Sequence, residues 1–371
     1  MKLLIDASSI NKKNVLASIP NYIIRLIDGF LTYSPFEIIL MADYDYKDFF
    51  EKKYPTIPIH YLKRNYFLYR IPFLGEIYGR KCYKKTLAKI SYDVELIASD
   101  QDRSTRIKTG HPRVLVVHDL KSIKDGNYLQ RRKNFSFYRF LISNTRSVVA
   151  ISEFTKRDIV KHFNFDENKI SIISNSIVRP NNELKPKQSI PEKFILYVNT
   201  LLPHKNPITL IKAFERINNQ INHKLVLVGK TTSYWKSELF PYIHNHNLLD
   251  SVIHLQNLSS GELQYLYNRA SLFVTPSLRD GFGYTPIEAA MSKVPVISST
   301  SEALPFSTQG LLYYYEPADN PDILANKILE VLSTPPTQEI LNGFAKKFEQ
   351  DYAPQKQIER FCKLIQTIKI K

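Results

Sequence analysis

Short runs of branched and aliphatic residues alternate along the chain with amphipathic stretches of helical length. Residues 2–5, 36–41, 94–98, 114–117, 147–151 and 169–173 read as strands of a first half. Residues 194–198, 224–228, 251–255, 272–275 and 295–298 read as strands of a second, with helical spacing between them at 207–218 and 261–269. Strands separated by helices predict parallel sheets covered by helices, the α/β class. Residues 179–193 (RPNNELKPKQSIPEK) have no periodicity and contain three prolines, so they read as a linker. The pattern predicts two successive α/β domains, 1–180 and 181–350, without a short-period repeat.

Composition agrees with a globular chain: 371 residues, 43% hydrophobic and 12% aromatic, are ample for two cores. No window has the roughly 18 consecutive apolar residues of a membrane span, and Asp6 interrupts the N-terminal apolar run, so a cytoplasmic location is expected. Cys82 and Cys362, far apart, exclude a disulfide framework or a Cys-based zinc cluster. The net charge of +16 is uneven, because residues 1–185 hold 32 Lys and Arg against 19 Asp and Glu. Within that half, residues 61–90 interleave eight basic residues with seven Tyr and Phe, and QRRKNFSFYRF (130–140) repeats the mixture. Such stretches suit an anionic membrane surface, a nucleic-acid backbone, or a solvated helix face with its aromatics turned inward.

The most informative segment is VTPSLRDGFGYTPIEAAMSKVP (274–295). A strand leads through Gly281, Phe282 and Gly283 into a helix, with Thr285 as the expected N-cap, Pro286 at the first helical position and Glu288 three residues after the cap. Glycines at a helix mouth let backbone approach a ligand, and free N–H groups with the helix dipole favour an anion, above all a phosphate. Asp280 and Glu288 flank the loop, one able to line the pocket and the other to meet ligand hydroxyls. The plainer reading is that Glu288 caps its helix and the glycines turn the chain.

An acidic residue, seven intervening positions and a Glu around GFG, followed by EAAMSKVPVI, resemble the donor motif of the retaining glycosyltransferases of GT-B fold, family 4. The resemblance extends through YVNTLLPHKNPITLIKAF (197–214), KLVLVGK (224–230), VVHDL (116–120), AISEFTKRD (150–158) and ISNSI (173–177), the last two placing Ser152 and Asn175 on the cleft side. It implies two Rossmann-like domains facing across a cleft, the acceptor on the first and the donor on the second, with residues 351–371 returning as a helix to the first. It further implies that Glu288 binds ribose hydroxyls, that Gly281, Phe282 and Gly283 approach the donor, and that Lys205 neutralises the diphosphate, with His204, Thr200 and Lys230 nearby. Asp280 would face the transferred sugar, His118 would contact it and Asp119 would lie beside it. No metal or other cofactor is then required. The implied activity is retaining transfer of a hexose from a GDP- or UDP-sugar, with a slight lean to mannose, to a lipid-linked glycan of lipopolysaccharide, capsule or exopolysaccharide. The place would be the cytoplasmic face of the inner membrane, peripherally, with no nucleic acid involved. Domain closure over the donor would exclude water.

The chain departs from the family pattern in three places. Asp280 stands where Glu is usual, Thr200 and His204 stand where an Arg is usual, and residues 16–21 (LASIPN) replace a glycine loop. These departures imply an altered acceptor or reduced activity, and they keep open an impaired sugar-nucleotide binder or, from the basic half, a polyanion-binding protein. Two DxD strings, at Asp43 with Asp45 and at Asp100 with Asp102, are expected on surface loops and not as metal sites, and His244 and His246 as solvated loop residues.

Overall fold

The computed structural model describes the whole chain except Lys12, Lys13, Val15, Leu16, Ala17, Pro72, Phe73, Asn181 and Lys371, and of Tyr66, Arg70, Lys369 and Ile370 the backbone only. Part of the replaced glycine loop, Leu16 and Ala17, therefore lies outside the described residues, as does Phe73 of the basic, aromatic stretch. Contacts divide the chain into two compact units, Met1–Ser176 with Pro354–Lys371, and Ile177–Ala353.

The first unit is built on a parallel sheet of β1 (Lys2–Ala7), β2 (Glu37–Asp43), β3 (Ile59–Leu62), β4 (Val94–Ile97), β5 (Arg113–Val117), β6 (Ser147–Ala150) and β7 (Ile170–Ile172). Its order is β3-β2-β1-β4-β5-β6-β7. The second holds β8 (Phe194–Val198), β9 (Lys224–Val228), β10 (Val252–Leu255), β11 (Leu272–Thr275), β12 (Val296–Ser299) and β13 (Tyr313–Tyr315), in the order β10-β9-β8-β11-β12-β13. Both sheets are parallel, and their central strands are buried on both faces, which is why those strands read as continuous apolar runs. Each is doubly wound, reversing direction of growth between β1 and β4 in one and between β8 and β11 in the other. In such sheets ligands bind outside the carboxyl ends of the strands at that reversal.

Two strands went unread in the sequence, β3 (IHYL) and β13 (YYY). Both lie at sheet edges, where one flank is unpaired and a run of branched aliphatics is not needed. The stretch 179–193 differs from its reading as a linker, for it belongs to the second unit. There Leu184 N–H donates to the Gly261 carbonyl at 3.0 Å, and Arg269 reaches Glu183 at 2.9 Å. The chain enters and leaves this unit side by side, with Ile177 N–H donating to the Tyr352 carbonyl at 2.9 Å. The closing helix, Pro354–Ile370, packs in the first unit against the helix Ser18–Tyr33. Gly29 permits the approach, because a Cβ there would come within 2.9 Å of Ile358.

A buried polar network underlies the reversal point of the first sheet. Glu95 and Arg113 are register neighbours on β4 and β5, and Arg113 grips Glu95 with two bonds of 2.8 and 3.1 Å. The Tyr83 hydroxyl lies 2.7 Å from Glu95 and 2.9 Å from Asp6. One hydroxyl proton cannot serve two carboxylates, so one carboxyl carries its own. Burial, with the charge of Asp102 beside it, pushes Asp6 up to about 6.

Candidate active site

In the second unit the site grows from the loops after β8 and β11. The first loop closes in a short turn, Pro203–Lys205, and ends at Asn206, whose φ of 57° is left-handed. The Asn206 amide donates to the carbonyls of Pro276 (3.1 Å) and Ala318 (2.9 Å), and its oxygen receives Thr209 at 2.8 Å. The His204 carbonyl accepts the amides of Leu278 (2.9 Å) and Arg279 (3.2 Å), which joins the two loops. The result is a fixed ammonium: Lys205 Nζ donates to Asp280 Oδ2 at 2.6 Å and to the Arg279 carbonyl at 3.3 Å.

Asp280 organises the glycine loop with its other oxygen, Oδ1 accepting Gly283 N–H at 3.0 Å and Phe282 N–H at 3.4 Å. Gly283 has φ of +85°, a left-handed backbone that strains any other side chain, and a Cβ on it would also press within 2.6 Å of the Leu304 side chain. The buried Phe282 ring packs on Tyr284 at 5.0 Å and Tyr352 at 5.4 Å, while Gly281 stays half-exposed. Lys205, Asp280 and Gly281–Gly283 are thus brought together by the fold.

The helix that follows, Tyr284–Met291, corrects the expected cap. Gly283 is its N-cap, Thr285 lies inside the first turn, and there is no capping box. Glu288 instead accepts the Tyr267 hydroxyl at 3.1 Å, a tertiary bond that takes the carboxylate away from its own helix end. Burial and the Glu288 charge hold the Tyr267 hydroxyl well above its usual range. Thr200 is exposed in the turn after β8, and Lys230 is exposed after β9. Gly229 lets these turns touch, since a Cβ there would lie 2.3 Å from the Asn199 carbonyl.

In the first unit His118 and Asp119 follow β5 at the carboxyl end of the sheet. The His118 ring is buried, and its Nε2 donates to the Ala98 carbonyl at 3.1 Å, which assigns the proton to that nitrogen. Burial holds its pKa below the usual range, so it is neutral at pH 7, with Tyr22 against its face at 4.6 Å. Asp119 Oδ1 accepts Lys121 N–H at 3.0 Å, leaving it half-buried. Ser152 caps the helix Glu153–Phe163, and Asn175 is buried.

Of the DxD strings, Asp45 is exposed in the turn after β2 as expected, but Asp43, Asp100 and Asp102 are buried. Asp43 closes a turn by accepting Asp45 N–H at 3.0 Å, and Asp102 is salt-bridged to Arg64 and bonded to Ser104. Among the described residues no three His, Cys, Asp or Glu form a metal-holding group. His246 lies 2.6 Å from Glu215 and stacks on Tyr242, and His244 ends the helix Phe240–Asn245. Sequence reasoning missed Asn206 and Tyr267, whose signals are contacts to remote segments. An Asn ahead of a Pro-started helix was the one local hint.

Among the described aromatics of 61–90, only Tyr83 is fully buried; Phe67 is 78% exposed, and Tyr61, Tyr69 and Tyr78 are half-buried. Leu68, Leu74 and Ile77 are exposed beside Lys63, Lys81, Lys84 and Lys85, and Tyr128 and Leu129 are exposed just before Arg131. Lys133 reaches Glu76 at 2.7 Å, so the helices Leu74–Leu87 and Tyr128–Ser143 present these residues on neighbouring surface. No helix among the described residues is long and apolar enough to cross a membrane.

Comparison with known families decides the assignment. Residues 180–348 match the glycosyl transferases group 1, and residues 39–178 match the glycosyltransferase family 4. The chain belongs to the group 1, family 4 glycosyltransferases. It is 32% identical over 216 residues to the O-antigen chain mannosyltransferase RfbU of Salmonella typhimurium, a match covering 57% of each chain. It is 26% identical over 209 residues to the serotype-specific mannosyltransferase WbdA of Escherichia coli, covering 52% of this chain and 26% of that protein. The matched stretch thus spans well under two thirds of either relative. Among solved structures it resembles a glycosyltransferase from Rickettsia africae (TM-score 0.75, 17% identity, 99% and 98% of the two chains covered). It also resembles Anabaena HepE in complex with UDP (TM-score 0.72, 15% identity, 99% of each). The fold is GT-B, with two Rossmann-like domains of parallel sheets surrounded by helices.

Proposed function

We propose that this glycosyltransferase moves a hexose, with retention and without a metal, from a nucleoside diphosphate donor to a lipid-linked surface glycan. The observation that carries the reading is the Lys205 ammonium, held at 2.6 Å on Asp280 beside the glycine loop at the sheet's reversal point. As the bond from the anomeric carbon to the diphosphate oxygen breaks, its electron pair moves onto the diphosphate. The acceptor hydroxyl oxygen forms the new bond, and its proton leaves with the phosphate. Negative charge therefore grows where Lys205 and the start of the helix Tyr284–Met291 stand, and both favour the transition state over the bound donor. Glu288, oriented by Tyr267, takes the ribose hydroxyls. His118 contacts the transferred sugar, with Asp119 beside it. His204, Thr200 and Lys230 supply what an Arg supplies in other members. Relatives named as O-antigen mannosyltransferases favour mannose and so GDP, while the UDP held by HepE keeps UDP-sugars in the test.

A thermal-shift panel of UDP, GDP, dTDP, ADP and CMP tests the donor site. A ligand at about 100 times its dissociation constant stabilises the native state by about 2.7 kcal/mol. One nucleoside diphosphate is expected to raise Tm in the wild type and to have no effect on Glu288→Ala. No shift with any of them, in a protein that melts cooperatively, overturns the donor reading.

The acceptor half of the proposal rests on the exposed apolar and basic surface. Phe67, Leu74 and Ile77 projecting among lysines suit insertion at an anionic leaflet better than stacking on nucleic-acid bases, since two of the three have no ring. The place proposed is the cytoplasmic face of the inner membrane, bound peripherally. In flotation, the protein is expected to rise with phosphatidylglycerol vesicles and not with phosphatidylcholine vesicles. Phe67→Ser with Ile77→Ser is expected to lower binding about tenfold or more, each buried side chain contributing about 1.5–3 kcal/mol at most. Equal partition to both vesicle types overturns it.

A further inference from the structure

The turn that presents His118 and Asp119 is held by a residue from the neighbouring strand. Asp100 stands just beyond β4 and is 4% exposed. Its Oδ2 accepts the Tyr138 hydroxyl at 3.1 Å and the His118 amide at 3.4 Å. The Tyr138 hydroxyl also lies 3.4 Å from the Asp119 carbonyl, and His118 Nε2 is tied to Ala98, two residues before Asp100. The ends of β4 and β5 and the helix Tyr128–Ser143 therefore converge on one carboxyl.

We propose that Asp100 is a positioning residue for sugar transfer, fixing the His118–Asp119 turn through Tyr138 and the His118 amide. This rests on the reading of His118 and Asp119 given under the proposed function. The proton on Asp100 makes the device pH-sensitive. Burial, then the Asp119 charge, push its carboxyl up to about 7, against the bonds from Tyr138 and His118. The groups facing it are Asp119, a Tyr138 hydroxyl held well above its usual range and a His118 imidazole held below its own. Below about 7 the carboxyl is neutral and the clamp is quiet. Above it, a buried negative charge stands against the half-buried Asp119 and works to open the turn. The folded-state pKa is raised, so the stability linked to it is full below the unfolded carboxyl range and is lost as pH rises through about 7.

The test is the pH profile of kcat for the full chain with the donor found in the nucleotide panel. In the wild type kcat is expected to fall on the alkaline side with a midpoint near 7. Asp100→Ala is expected to lower kcat by about tenfold or more with donor KM within about twofold, because small displacements of a reacting group are costly. Tyr138→Phe is expected to lower it less. Asp100→Asn keeps an acceptor for both bonds and cannot ionise, so it is expected to restore most of the rate and to lose the alkaline fall. If Asp100→Ala does not fold, the other two variants carry the comparison. A wild type that transfers sugar with the same profile as Asp100→Asn overturns the proposal alone. A wild type that binds no nucleoside diphosphate and transfers nothing overturns the donor-site reading and the proposal with it.

Discussion

Lys205→Ala is expected to lower kcat by about 10²- to 10³-fold, the usual cost of removing one preorganised group that meets developing charge. The size follows from how little the ammonium has left to do. Its side chain is 12% exposed, and Asp280 and the Arg279 carbonyl already fix it, so little reorganisation remains when the diphosphate departs. Sheltered from water, the same charge acts in a lower effective dielectric than at the open surface. The substitution also removes the cation from beside Asp280, leaving its negative charge to face the proposed anionic donor, so donor affinity should fall as well. Lys205→Ala with Asp280→Ala is therefore expected to recover part of the lost affinity but little of the lost kcat. Lys205→Arg is not a conservative repair, because a planar fork does not reproduce a point charge between one carboxylate oxygen and one carbonyl. Steady-state kcat and KM measured separately decide it, and a change in kcat below about threefold would mean that the diphosphate leaves elsewhere.

The second large effect is on stability. Arg113→Met is expected to destabilise the first unit by about 3–5 kcal/mol, because it strands Glu95 as a buried charge without its partner. Arg113 and Glu95 side chains are 1% and 0% exposed. Arg113 also donates to the carbonyls of Thr105 (3.1 Å) and Ile107 (2.7 Å), so its loss frees backbone acceptors too. Replacing Glu95 by leucine in the same chain should restore much of the loss, since a buried ion pair contributes little net stability over a well-packed apolar pair. The remainder is the Tyr83 hydroxyl, which would keep only Asp6. Urea unfolding followed by probes in the first unit measures both variants. Equal stability of Arg113→Met and wild type would show that Glu95 does not depend on Arg113 as a partner.

Several features of the site were legible along the chain because they are local. The loop Gly281–Gly283 and the acidic pair Asp280 and Glu288 are read from neighbouring residues, Lys205 comes from the family resemblance, and the fold brings the loop, Asp280 and Lys205 within bonding distance. The helix cap was misread for the complementary reason. Thr285 and Glu288 have cap-box spacing, yet Asp280 holds the Gly283 amide, and Tyr267 draws Glu288 away. The DxD strings were misread likewise, since nothing beside Asp102 in sequence announces Arg64, and nothing beside Asp100 announces Tyr138.

By itself the sequence determined the α/β class and eleven strands of two parallel sheets, because burial on both faces writes itself as unbroken apolar runs. It also pointed to the family, through the resemblance of ordered motifs such as the glycine loop Gly281–Gly283 with Asp280 and Glu288 around it. Only the tertiary structure decided which charges are partners. Glu95 meets Arg113 by sheet register, Glu288 meets Tyr267 across two helices, and Asp100 meets His118 across two strands. The physical reason is that a hydrogen bond or ion pair depends on where side chains arrive after the chain has folded, whereas hydrophobic periodicity is already present in the order of residues along it.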